Sequence, residues 1–299
     1  MKKESKTLKT ILILVAVVAL LVGGYFGYRA LTNKKEEKPV ENKITPLLYE
    51  VTKEGSDNKM YLFGSIHLAN KSDLKFPEYV LDAYKMLYDD GTTVKQHLNE
   101  ETYNKMVNLL TEKKLYSGLY DNYKTYFFVS LLTNAMGIDA KIDPNNGIDM
   151  YFLNKAKSEN KTILEVESSD FQNDLFLSFP DEFYELMIAE TIENYDDNVE
   201  GLKKLYEAWK TGNAADLEKY GSEDIDVDDT YTEQQKAYIE DYNNKIVTER
   251  NKTMTDKAIE YFNNNQDVFF MVGTLHIIGE DGIAKQLSDK GFTVKQITK

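Results

Sequence analysis

The chain has 299 residues, enough for one large domain or two ordinary ones, with 42% hydrophobic residues and a formal net charge of −14. Its lack of cysteine excludes disulfides, thiolate zinc sites and cysteine nucleophiles. Charge is split along the chain, with a net +5 over residues 1–40 and −19 over the rest, so the body repels phosphate backbones and nucleic acid is not an expected partner.

Between Lys9 and Arg29 lie 19 uncharged residues, including the run Ile11–Val22. At about 1.5 Å per helical residue this spans a bilayer core of roughly 30 Å. Lys2, Lys3, Lys6 and Lys9 precede it, as in a signal sequence, yet no small-x-small cleavage site comes after it. The reading is an uncleaved signal anchor; a cleaved signal peptide competes with it. Residues 1–9 are then a cytoplasmic tail, 10–31 a single transmembrane helix, 32–44 a charged linker, and 45–299 an extracellular domain at the cell membrane.

Strand signals open the domain: Leu47–Val51, a turn at Gly55–Asn58, then Met60–Phe63, together a hairpin. Phe76–Leu87 reads as a helix starting near Pro77, and Glu100–Glu112 and Tyr123–Met136 as further amphipathic helices. A short helix ends at Asn154–Glu159, and Thr162–Val166 is strand-like. From Phe171 to about Asn251 the pattern is mostly helical, interrupted by the acidic stretch Gly221–Thr232. That stretch sets Asp224, Asp226 and Asp228 at the alternate spacing of a calcium loop, but Asp229 and Gln235 stand where glycine and glutamate are needed, so it reads as a solvated loop. Residues 237–263 form a long helix with Ile246, Met254, Ile259 and Phe262 facing inward. Val268–Val272 is a strand, Ile283–Lys290 a helix capped by Gly291, and Phe292–Ile297 a last strand. Strands at both ends around a helical middle predict a mixed α/β domain, a core sheet flanked by helices with a large helical insertion.

Two of the three histidines end similar runs. Tyr61-Leu62-Phe63-Gly64-Ser65-Ile66-His67 and Phe269-Phe270-Met271-Val272-Gly273-Thr274-Leu275-His276 each read as a buried strand breaking at a glycine and presenting an imidazole. A neutral imidazole there is a ligand for zinc, manganese or cobalt, or a general base. A histidine that merely caps its strand by bonding nearby backbone is the plainer alternative; the matched pair favours a shared site. A metal also needs carboxylates or a third histidine; Glu167 stands at the end of the Thr162–Val166 strand, where it and Glu165 would share one face. Their plainer reading is a solvent-facing edge. His97, among polar neighbours, reads as a surface histidine.

These pieces together resemble the TraB/GumN family, which includes the Tiki proteases and bacterial pheromone-shutdown proteins. The resemblance is carried by Ile246–Asn251, the run Val272–Ile283 with Leu287, Lys290–Val294, the first histidine motif with Pro77, Gly147-Ile148-Asp149, Glu167 with Gln172, and Trp209 with Gly212. It implies a core sheet akin to the erythromycin-esterase and ChaN-like proteins, and a site built from both Gly-x-x-His motifs plus acidic residues. His67, His276 and Glu167 would be metal ligands or catalytic groups, with Arg250 and Asp149 as polar support. Arg250 could pair with a carboxylate or steady a developing oxyanion. The implied activity is a divalent-metal-dependent peptidase (manganese, cobalt or zinc) acting on extracellular peptides or proteins. One departure stands out: the glutamate that members carry after the first helix is missing from Tyr88–Gln96. That favours the alternative of a catalytically weakened surface protein that binds and sequesters a peptide signal.

Overall fold

The computed structural model describes residues 48–51, 60–63, 86–142, 147–221, 231–264 and 268–297. The opening hairpin is present: β1 (Leu48–Val51) and β2 (Met60–Phe63) run antiparallel, with Leu48 opposite Phe63 and Val51 opposite Met60. The turn joining them, the segment Gly64–His67, the acidic stretch 222–230 and most of the Phe76–Leu87 helix lie outside the described residues. Leu87 itself forms an isolated bridge with Tyr123.

Helices make up the rest: α1 (Val94–His97), α2 (Glu100–Glu112), α3 (Thr125–Asp139), α4 (Ile148–Ser158), α5 (Ser169–Leu177), α6 (Asp181–Glu193), α7 (Tyr195–Thr211), α8 (Ala214–Gly221), α9 (Glu233–Asn243), α10 (Arg250–Asn263) and α11 (Ile283–Asp289). Their ends obey local chemistry. The Asn99 side chain accepts the Thr102 N–H at 2.8 Å ahead of α2, whose first turn carries Glu100 and Glu101 against the helix dipole. Thr232 and Gln235 close a reciprocal capping box at the start of α9.

α3 is the central rod. Phe128, Val129, Leu132, Ala135 and Met136 are all buried, and the helix packs on α6 and α7. α6 also meets α2 and α9, adding Phe183, Met187 and Ile188 to one continuous core. A smaller cluster, Leu205, Ala208 and Leu217, sits between α7 and α8 and is covered by Leu275 and Ile278.

The expected α/β core sheet is overturned: the described residues are helical, and their only strand ladder is the hairpin. Thr162–Val166, Val268–Val272 and Phe292–Ile297 carry no ladder. The physical reason is that β-rich composition favours extended backbone, whereas a strand needs a neighbour to take its N–H and C=O groups. Phe262, expected to face inward, is 65% exposed and meets Phe292 edge-on, while Ile246 and Met254 on the same long helix are buried as expected. No described helix is long and apolar enough to cross a membrane, and the segment 10–31 with its flanks lies outside the described residues.

These positions separate in a stability measurement. Phe183→Ala removes a fully buried ring and should cost about 3–5 kcal/mol in urea unfolding. Phe262→Ala should stay within about 0.5 kcal/mol, and a core-sized loss there would restore the inward-facing assignment.

Candidate functional site

The segment before α5 and the start of α10 meet through one ion pair. Arg250 Nε donates to Glu167 Oε1 at 3.0 Å and to Oε2 at 3.1 Å, and Nη2 donates to Oε2 at 2.8 Å. Gln172, on α5, adds an amide N–H to Oε2 at 3.2 Å. Glu167 precedes the α5 cap residue Ser168, whose hydroxyl accepts the Phe171 N–H, so its carboxylate stands at the favourable end of that helix. The two side chains are only 6% and 4% exposed. Glu165 is instead exposed, and its carbonyl accepts the Tyr261 hydroxyl at 3.0 Å. The two glutamates therefore do not share a face, because the segment is not a strand.

The turn before Arg250 is unusual. Residues Asn244–Glu249 form a π-helical segment linking α9 to α10 without a break. Such a bulge rotates the residues C-terminal to it about the helix axis and often marks functional sites. Here Ile246, Arg250, Asn251, Met254 and Thr255 are all buried, so the neighbours Arg250 and Asn251 both reach inward.

Asn251 meets the second histidine. His276 Nδ1 lies 2.6 Å from Asn251 Oδ1, and Asn251 Nδ2 donates to the Asp281 carbonyl at 2.9 Å. His276 ends a 3₁₀ turn, Thr274–His276, with its N–H on the Gly273 carbonyl at 3.0 Å. Gly273 has φ −55° and ψ 137°, open to any residue, so this glycine is not the sharp turn the motif suggests. The demanding glycines come later. Gly279 holds φ +83°, and a Cβ on Gly282 would sit 2.2 Å from the Ile278 carbonyl oxygen. They shape the loop that presents the Asp281 carbonyl.

Burial, with the Arg250 charge adding and the Glu167 charge opposing, pushes the His276 imidazole down to about 4. It is neutral at physiological pH. Among the described residues its Nε2 has no hydrogen-bond partner.

A second polar cluster lies at the start of α6. His97 is half-buried, stacked on Tyr88 with centroids 3.8 Å apart, and its Nδ1 pairs with Asp181 Oδ2 at 2.7 Å. Tyr88 and Thr125 hydroxyls donate to the other Asp181 oxygen. His97 is thus not the free surface histidine its neighbours suggested: its Nε2 meets the nearby Thr92 hydroxyl, and Asp181 comes to it from far along the chain. A pocket of about 250 Å³ adjoins this cluster, walled by Tyr126, Phe179 and Tyr184.

Of the expected site residues, the structure brings together His276, Arg250 and Glu167, and adds Asn251, whose only signal in the sequence is its place in the family resemblance. His67 lies outside the described residues. Asp149 stands in the first turn of α4, where burial lifts its carboxyl above the ordinary range, apart from the Arg250–Glu167 bonds.

Residues 83–296 match the TraB/PrgY/gumN family. The chain belongs to this family. No curated protein and no solved structure matches it. The match takes in Glu167, Arg250, Asn251 and His276, so the buried network belongs to the TraB/PrgY/gumN portion of the chain.

The donor set fits a divalent ion in part. Glu167 Oε2 is filled by Arg250 and Gln172, whereas among the described residues Oε1 accepts one Arg250 bond, which leaves it a lone pair. His276 Nε2 is a second donor. Among the described residues no three His, Cys, Asp or Glu side chains are grouped to hold a metal. A further ligand would have to come from outside them, and His67 is the one the sequence offers.

Two measurements test the network. Glu167→Gln leaves a buried guanidinium without its counter-charge and should cost about 3–5 kcal/mol, most of it recovered in the Glu167→Leu/Arg250→Leu double variant. Additive losses would mean the pair is not coupled. For His276, folded and unfolded states are both neutral above pH 6.5, so the group is silent there. As pH falls from 6.5 to about 4 the unfolded chain takes the proton first and stability drops. In chelator-treated protein, the loss between pH 7 and 4 should exceed that of His276→Ala by about 3 kcal/mol; equal slopes would contradict the neutral imidazole.

Proposed function

We propose that the chain is a membrane-anchored, peptidase-like hydrolase acting on peptides or proteins outside the cell, with the His276 imidazole as its working group. The observation that carries this reading is a buried, neutral His276 held by Asn251 beside the Arg250–Glu167 pair. A neutral imidazole with one nitrogen anchored keeps the other lone pair for a proton or a ligand. Burial of its surroundings strengthens every electrostatic contact made there. Arg250 spends two of its nitrogens on Glu167, while among the described residues Nη1 reaches only the Ile246 carbonyl at 3.5 Å. That weakly engaged nitrogen leaves Arg250 a donor that could steady negative charge on a carbonyl oxygen under attack.

A divalent ion (manganese, cobalt or zinc) is part of the proposal: His276, His67 and Glu167 Oε1 would hold it, and it would supply a Lewis acid and a water of lowered pKa. His276 then orients one side of the site, while the Arg250–Glu167 pair excludes water from the other. Anchoring rests on the apolar segment 10–31 and its flanking lysines.

Binding without turnover is the second reading. It is favoured by the lack of a glutamate in Tyr88–Gln96.

Metal analysis of the purified chain against His67→Ala and His276→Ala separates the two, together with a broad peptide library. The hydrolase predicts a divalent ion bound at micromolar level or tighter, lost in both variants, and peptide cleavage lost with it. Intact peptides with retained binding would establish the sequestering reading, and no bound ion would remove metal hydrolysis.

A further inference from the structure

We infer that Asn251 is the positioning residue that locks His276 as its Nδ1–H tautomer, so that Nε2 is the atom that works. This rests on the reading of His276 as the functional imidazole and adds which nitrogen acts and what selects it.

Donors and acceptors leave one arrangement. Asn251 is 1% exposed, so water cannot satisfy a misplaced amide. Its two ends face different partners: Nδ2 lies 2.9 Å from the Asp281 carbonyl oxygen, and Oδ1 lies 2.6 Å from His276 Nδ1. A backbone carbonyl can only accept, so the nitrogen end must point to Asp281. Turning the amide over would press its oxygen against that carbonyl and its NH₂ against the imidazole. The oxygen end therefore faces His276, and it too can only accept. Nδ1 must carry the proton.

A neutral imidazole holds a single N–H, which leaves Nε2 with its lone pair. The anchor is itself anchored. The Asp281 carbonyl also accepts from Gln286 Nε2 at 2.8 Å, and the Gly279–Gly282 turn closes with a 3.1 Å backbone bond. The turn thus holds the carbonyl, the carbonyl sets the amide, and the amide sets the tautomer.

Long-range proton–nitrogen NMR on the full chain, labelled at histidine and free of metal and substrate, reads the tautomer directly at neutral pH. The His276 signals are identified by their loss in His276→Ala. The wild type should show a protonated Nδ1 and an unprotonated Nε2. Asn251→Leu removes the accepting oxygen and should shift the tautomer ratio about tenfold toward Nε2–H.

A protonated Nε2 in the wild type, or an unchanged ratio in Asn251→Leu, would overturn the assignment. If Asn251→Leu does not fold, the wild-type spectrum still decides. A protonated Nδ1 in a chain that leaves the peptide library intact removes hydrolysis and keeps the assignment; a protonated Nε2 in a chain that cleaves does the reverse.

Discussion

The buried Arg250–Glu167 pair is the constraint on which the rest of the site depends. Taking two charges out of water costs several kcal/mol each, and attraction offsets that only when geometry is good and remaining lone pairs are used. Here the guanidinium makes three contacts to one carboxylate and Gln172 adds a fourth. An apolar pair of similar volume would hold the same two segments as well or better, so stability alone does not explain the choice. What the pair adds is a fixed field: the Arg250 charge acts with burial to keep His276 neutral, and the Glu167 charge limits that effect.

One π-helical segment serves both halves of the arrangement. The π segment ends where Arg250 begins, and from there adjacent side chains divide, Arg250 toward Glu167 and Asn251 toward His276. Met254 and Thr255 continue the buried side into the core. A regular helix offers neighbouring residues directions about 100° apart, which suits two partners approaching from different segments.

The sequence was most legible where structure is local. Glu100–Glu112 is found with its expected bounds because its cap, first-turn acids and apolar spacing all lie within those residues and the one before them. Gly291 likewise ends α11 with φ +90°. Legibility failed where a partner was needed. Val268–Val272 has strand composition, but nothing in it specifies a neighbouring strand. Phe262 has helical spacing, but burial depends on what covers that face, and it is exposed. His97 fails in the opposite sense, since Asp181 comes to it from α6 and Tyr88 stacks on it from the segment ahead of α1.

The site shows the same division in finer grain. The Gly-x-x-His pattern drew attention to His276, and the imidazole is indeed buried and held, yet Gly273 has an ordinary backbone conformation. What holds the ring lies on either side of the motif, in Asn251 before it and in the Gly279–Gly282 turn after it. A motif centred on the histidine marks the imidazole, and the residues that fix its charge and orientation are set by who donates to whom. That information is three-dimensional. It becomes readable in sequence only once Arg250-Asn251 and Gly279-Glu280-Asp281-Gly282 are seen as parts of one hydrogen-bonded clamp.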